Sequence, residues 1–132
     1  METTMEIADL RAKYNEEGCW GMVASVNVYG CDREMISNPD SIRAFIYALC
    51  DSIDMVRHGE PLIERFAGGD LEGYSAMQFI ETSSVTMHFD ETENRAFVDI
   101  FSCKFFEPMA AETFCQEYLK GERANSVHYF RK

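Results

Sequence analysis

Apolar and polar residues alternate most regularly between Ser84 and Cys103. Val85, Met87 and Phe89 alternate with Ser84, Thr86 and His88, and Ala96, Val98 and Ile100 alternate with Phe97, Asp99, Phe101 and Cys103. A period of two is the signature of a strand with one buried face. The polar stretch Glu91-Thr92-Glu93-Asn94 has the composition of a turn, so the segment predicts a β-hairpin. The simplest register pairs Asp90 with Arg95. Thr86 then faces Asp99, and Cys103 falls opposite Thr82, next to Ser83. This register keeps both apolar sets on one face, as pairing demands. It sends His88, Asp99 and Cys103 to the other face.

The rest of the chain supplies more strands and two amphipathic helices. Cys19 to Gly30 reads as a strand with Met22, Ala24, Val26 and Val28 on one face. Asn38 and Pro39 open a helix as N-cap and first helical residue, with Asp40 in the first turn. Ile42, Phe45, Ile46, Leu49 and Ile53 follow at helical spacing. Pro61 to Phe66 predicts a short extended piece, Ala67 to Gly73 a glycine-rich loop, and Tyr74 to Ile80 a strand. Glu107-Pro108 starts a second helix whose stripe is Ala111, Phe114, Cys115 and Tyr118, with Gly121 as its stop. Ser126 to Phe130 predicts a last short strand. Residues 1–17 are charged and predict a short helix or a loose arm. The expected organisation is an arm over residues 1–18 and a single domain over 19–132. The fold class is α+β, a two-layer sandwich of a mainly antiparallel sheet with two helices on one face. One chain has no third layer for the other face, so a homodimer packed sheet to sheet is expected.

Composition narrows the functional classes. Of 132 residues, 46% are hydrophobic and 27% charged, as in a soluble globular protein, and the formal net charge is −11. No basic stripe is available to neutralise phosphates, which argues against nucleic acid. The acidic balance fits a cationic substrate or a merely solvated surface. The five cysteines show no metal-site spacing, and no metal is expected. No apolar run approaches the roughly 18 residues needed to span a bilayer. The start of the chain is acidic and lacks the apolar core of a signal peptide. A cytoplasmic protein with reduced thiols and no membrane partner is expected.

Several residues resemble the short, bacterial and archaeal type of S-adenosylmethionine decarboxylase, a pyruvoyl enzyme. Val28-Tyr29-Gly30-Cys31-Asp32 is similar to that family's first-strand exit, and Gly73-Tyr74-Ser75 to its Gly-x-Ser lead-in. Ser83, His88 five residues later, and Val98-Asp99-Ile100-Phe101-Ser102-Cys103 match the family's self-cleaving segment without a gap. The resemblance implies autocatalytic serinolysis between Thr82 and Ser83, leaving pieces 1–82 and 83–132 and a pyruvoyl group made from Ser83. It implies that His88 and Ser75 assist processing. It implies that the pyruvoyl group forms a Schiff base with the substrate amine, and that Cys103 reprotonates the product carbanion. Strict alternation would turn Ser83 to the opposite face from Cys103, so a bulge or kink at Thr82-Ser83 is expected.

Three neighbours depart from the family pattern: Thr82 replaces a usual glutamate, Ser84 a usual histidine, and Thr92 a glutamate that reads the nucleoside. Glu91 and Glu93 flank Thr92 and are the candidate substrate-binding carboxylates. Phe66 is the candidate aromatic residue to stack on adenine. The implied function is S-adenosylmethionine decarboxylation in polyamine biosynthesis. Two alternatives stand beside it: a pyruvoyl decarboxylase of arginine or ornithine, with Asp90, Glu91 and Glu93 holding the cationic side chain, and a non-processing homologue that binds or regulates.

Overall fold

The computed structural model describes residues 4–132, save the side chains at positions 4, 5 and 7. Residues 1–3 of the expected arm lie outside the described residues. The remainder of that arm is a helix, α1, spanning Thr4–Glu16. The order continues with β1 (Gly21–Tyr29), the short α2 (Arg33–Ile36), α3 (Pro39–Ser52), β2 (Leu62–Phe66), β3 (Gly73–Ile80), β4 (Ser83–Asp90), β5 (Arg95–Ser102), α4 (Pro108–Tyr118) and β6 (Arg123–Arg131). The six strands form one sheet in the order β2-β3-β4-β5-β1-β6, every pair antiparallel.

α3 forms where its caps place it. The Asn38 side chain accepts from Asp40 N at 2.8 Å and Ser41 N at 3.4 Å, and Pro39 presets the first turn. Its stripe of Ile42, Phe45, Ile46 and Leu49 is fully buried. α4 contributes Ala111 and Cys115, and its rings Phe114 and Tyr118 pack beside Phe45, with centroids 6.5 and 5.4 Å away. These helices cover the sheet face made of Met22, Ala24, Val26, Val28, Val85, Met87, Ala96, Val98 and Ile100, all with zero exposure. Each large aliphatic side chain removed from water here contributes about 1.5–3 kcal/mol.

The hairpin register is the expected one: Asp90 pairs with Arg95, Thr86 with Asp99, and Ser83 with Ser102. Cross-strand rows therefore run over the uncovered face. One is Phe79–Ser84–Phe101–Val23–Tyr129. Another is Met77–Thr86–Asp99–Ser25–Val127. Phe79, Val127 and Tyr129 are 59%, 66% and 54% exposed, and no element among the described residues packs over them.

Two elements differ in extent from expectation. The last strand is not the short piece Ser126–Phe130, because the ladder with β1 runs from Tyr29–Arg123 to Gly21–Arg131. Backbone pairing recruits its polar ends, which side-chain pattern cannot signal. Residues 81 and 82 are not part of a continuous strand. Ile80 pairs with Ser83, so Glu81-Thr82 is a tight turn reversing β3 into β4.

Candidate active site

Two clusters lie at opposite ends of β4. The first is built across β2, β3 and β4. Pleating directs Ser75 and His88, which are register partners, to the uncovered face. Ser75 Oγ and His88 Nδ1 are 2.8 Å apart. Glu64 is the partner of Ser75 on the edge strand, so the row reads Glu64–Ser75–His88. These three residues, with Leu62, Phe66, Ala76, Met77 and Thr86, line a cavity of about 270 Å³. Its walls are mostly apolar, with one carboxylate and one imidazole.

The second cluster surrounds the 82–83 peptide. Thr82 ends the tight turn, and its carbonyl accepts the Cys103 backbone N–H at 2.8 Å. The Thr82 side chain is pinned from below. Lys104 N donates to Ser102 Oγ at 3.0 Å, Ser102 Oγ donates to Thr82 Oγ1 at 2.9 Å, and Thr82 Oγ1 donates to the Met55 sulfur at 3.4 Å. Ser83 comes next in the chain with φ at 155°, a backbone conformation that L residues rarely adopt. The β4–β5 ladder passes through it without an extra residue, so the departure is a kink and not a bulge. Cys103 is exposed, whereas Cys31, Cys50 and Cys115 are buried. Burial pushes the thiols of Cys31 and Cys50 up to about 11 and that of Cys115 up to about 12, holding all three protonated and unreactive.

The structure thus brings Thr82, Ser83 and Cys103 together, and separately brings Ser75, His88 and Phe66 together. It does not bring the two groups together within one chain. Five steps along the strand separate Ser83 from His88, about 16 Å at 3.3 Å per residue.

The expected substrate carboxylates are engaged elsewhere. Glu91 is 9% exposed; Arg65 Nη1 donates to it at 2.5 Å, and Arg33 Nη2 lies 3.5 Å away. The Arg65 hydrogen bond holds its carboxyl below the usual range. Glu93 pairs with Arg95 at 3.0 Å, and Arg95 also binds Asp90 at 2.6 Å. Thr92 Oγ1 donates to the Asp70 carbonyl at 2.9 Å, tying the glycine-rich loop to the hairpin turn. The residue that sequence reasoning missed is Glu64. It lies in phase with Phe66 on β2, but only the β2–β3 register reveals that it sits across from Ser75.

The comparisons with known proteins agree with this architecture. A sequence model of the family described as S-adenosylmethionine decarboxylase matches residues 23–132. The chain belongs to that family. At family level it is a decarboxylase with S-adenosylmethionine as the implied substrate. Its fold is similar to the crystal structure of the adenosylmethionine decarboxylase from Aquifex aeolicus VF5, with a TM-score of 0.71 at 17% identity, over 86% of this chain and 91% of that one. α1 precedes the segment that the family model matches. Among the described residues, no helix is long and apolar enough to cross a membrane.

Proposed function

We propose that the chain is a pyruvoyl-dependent S-adenosylmethionine decarboxylase of cytoplasmic polyamine biosynthesis, activated by its own serinolysis at Ser83. The observation that carries this reading is the hydrogen bond from Cys103 N–H to the Thr82 carbonyl, next to the kinked backbone of Ser83. An N–H aimed at a carbonyl oxygen stabilises the charge that develops there under attack. Ser83 Oγ adds to the Thr82 carbonyl carbon, the Thr82–Ser83 C–N bond breaks, and an ester replaces the peptide. Elimination of the 1–82 carboxylate, then hydrolysis with release of ammonia, leaves a pyruvoyl group on 83–132. The residues at this junction fit that group, since the converted residue would begin β4, next to the Thr82 carbonyl that the Cys103 N–H binds. The group supplies a carbonyl that condenses with the substrate amine and takes up the electrons left when CO₂ departs.

The remaining roles follow from position. Cys103, exposed and joined through its N–H to the Thr82 carbonyl, takes the role of the acid that reprotonates the product carbanion. In His88, Nδ1 is occupied by Ser75, so Nε2 is the atom that gives or takes a proton. At about 16 Å along the strand, His88 cannot serve Ser83 of its own chain. A homodimer packed through the uncovered faces, about 10 Å apart, supplies the Ser75–His88 pair from a second copy. Phe66 and the apolar walls of the cavity then take the adenine, and Glu64 faces the cationic sulfonium. Asp90, Glu91 and Glu93 each pair with an arginine, which favours adenosylmethionine over a basic amino acid as substrate.

The test is a denaturing gel with intact mass. The purified chain should resolve into pieces of 82 and 50 residues, the second with a blocked N-terminus, and Ser83→Ala should stay whole. CO₂ release should follow adenosylmethionine and not arginine or ornithine. A chain that remains intact after long incubation overturns the reading in favour of a non-processing homologue.

A further inference from the structure

The backbone of Cys103 is held on both sides. Its N–H donates to the Thr82 carbonyl, and its own carbonyl accepts the Tyr14 hydroxyl at 3.2 Å. Tyr14 belongs to α1, outside the family-matched segment. It is 7% exposed, and its ring lies 5.5 Å from both Phe105 and Phe130, edge-on to the latter at 80°. One turn earlier on α1, Arg11 sits over the Phe105 ring at 4.4 Å and reaches Glu107 at 4.0 Å. The helix therefore grips residues 103, 105 and 107 in turn as the chain leaves β5. Gly21 allows β1 to begin against the same point, since a Cβ there would lie 2.6 Å from the Ser102 carbonyl oxygen.

We propose that Tyr14 is a positioning residue for Cys103, and that α1, which precedes the family-matched segment, is a clamp that holds Cys103 and its N–H beside the 82–83 bond. The proposal rests on the role given to Cys103 above. A residue whose flanking peptides are both hydrogen-bonded has little freedom in φ and ψ, so its Cα–Cβ bond keeps one direction. Burial, then the neighbouring Cys19 and Cys103, push the pKa of the Tyr14 phenol up and keep it a donor.

The experiment compares full-length Tyr14→Phe and Tyr14→Ala with the parent chain. Phenylalanine keeps the ring contacts and removes only the hydrogen bond. Two rates are read: self-cleavage of fresh precursor, and peptide-mapped alkylation of Cys103 by iodoacetamide in the uncleavable Ser83→Ala background. Losing one part-buried hydrogen bond should slow cleavage and speed alkylation by roughly two- to tenfold, with little change in melting midpoint. Tyr14→Phe should reproduce most of the effect of Tyr14→Ala. Parent rates for Tyr14→Phe in both assays overturn the proposal and leave Tyr14 a packing residue. If the parent chain never cleaves, the processing reading falls, while the alkylation assay still decides whether Tyr14 holds Cys103.

Discussion

The two faces of the sheet are made from alternate residues of the same strands and have been put to different uses. On β4, Val85, Met87 and Phe89 point into the helices and are at most 5% exposed. Between them, Ser84, Thr86 and His88 point away. The covered face is aliphatic, and its substitutions should register as stability. The uncovered face mixes hydroxyls, an imidazole and a carboxylate with exposed Phe79, Val127 and Tyr129, and its substitutions should register as chemistry or association. A sheet covered on one side leaves the other free to host a site without disturbing the core.

That contrast can be broken most sharply at His88. His88→Ala should slow self-cleavage by about 10²–10⁴-fold, the usual worth of a proton carrier, while the melting midpoint stays near that of the parent. Loss of folding instead would make the uncovered face part of the core. Its neighbour Met87 should behave in the opposite way. Met87→Ala should cost about 2–5 kcal/mol in urea unfolding, since it empties a fully buried site. A cost below about 0.5 kcal/mol, the range of ordinary surface substitutions, would contradict that packing. Phe79→Asp places a charge in the exposed apolar row. On the proposed dimer, it should shift sedimentation from dimer to monomer and slow cleavage with it, at little cost to the fold of each chain. An unchanged dimer would move the interface elsewhere.

The smallest effect is expected at Glu91, where the covered and uncovered sides meet the hairpin turn. Its carboxyl is lowered chiefly by Arg65. A lowered carboxylate contributes stability that is present above its unfolded pKa and lost as pH falls through the folded one. Glu91→Gln should therefore lower the melting midpoint by a few degrees at neutral pH, and the gap should close in acid. A gap independent of pH would mean that charge is not what Glu91 contributes.

Much of this contrast was legible in the sequence. Strict alternation from Ser84 to Cys103, with a polar turn between, was enough to set the hairpin register and to bring Cys103 beside Thr82. α3 declared itself through Asn38, Pro39 and a buried stripe. α1 did so less clearly, because its charged sequence carries no strong apolar stripe, and Tyr14 needs the distant rings of Phe105 and Phe130 to become buried. Glu91 looked like a free acid because its partners, Arg33 and Arg65, come from elements far away in sequence. The Glu81-Thr82 turn was hidden because it has neither glycine nor proline, and the Thr82 side chain is fixed instead by Ser102 and Met55.

The sequence by itself determined the class of fold, the faces of its strands, the spacing of Ser83, His88 and Cys103, and through that spacing the family. These are local or periodic properties, set by residue type and by pleat. Tertiary structure alone decided that β1 lies between β5 and β6 and that Glu64 joins Ser75 and His88. It also decided that Tyr14 reaches Cys103. Those are contacts between segments remote in sequence, chosen by the packing of the whole chain, and no local pattern encodes them.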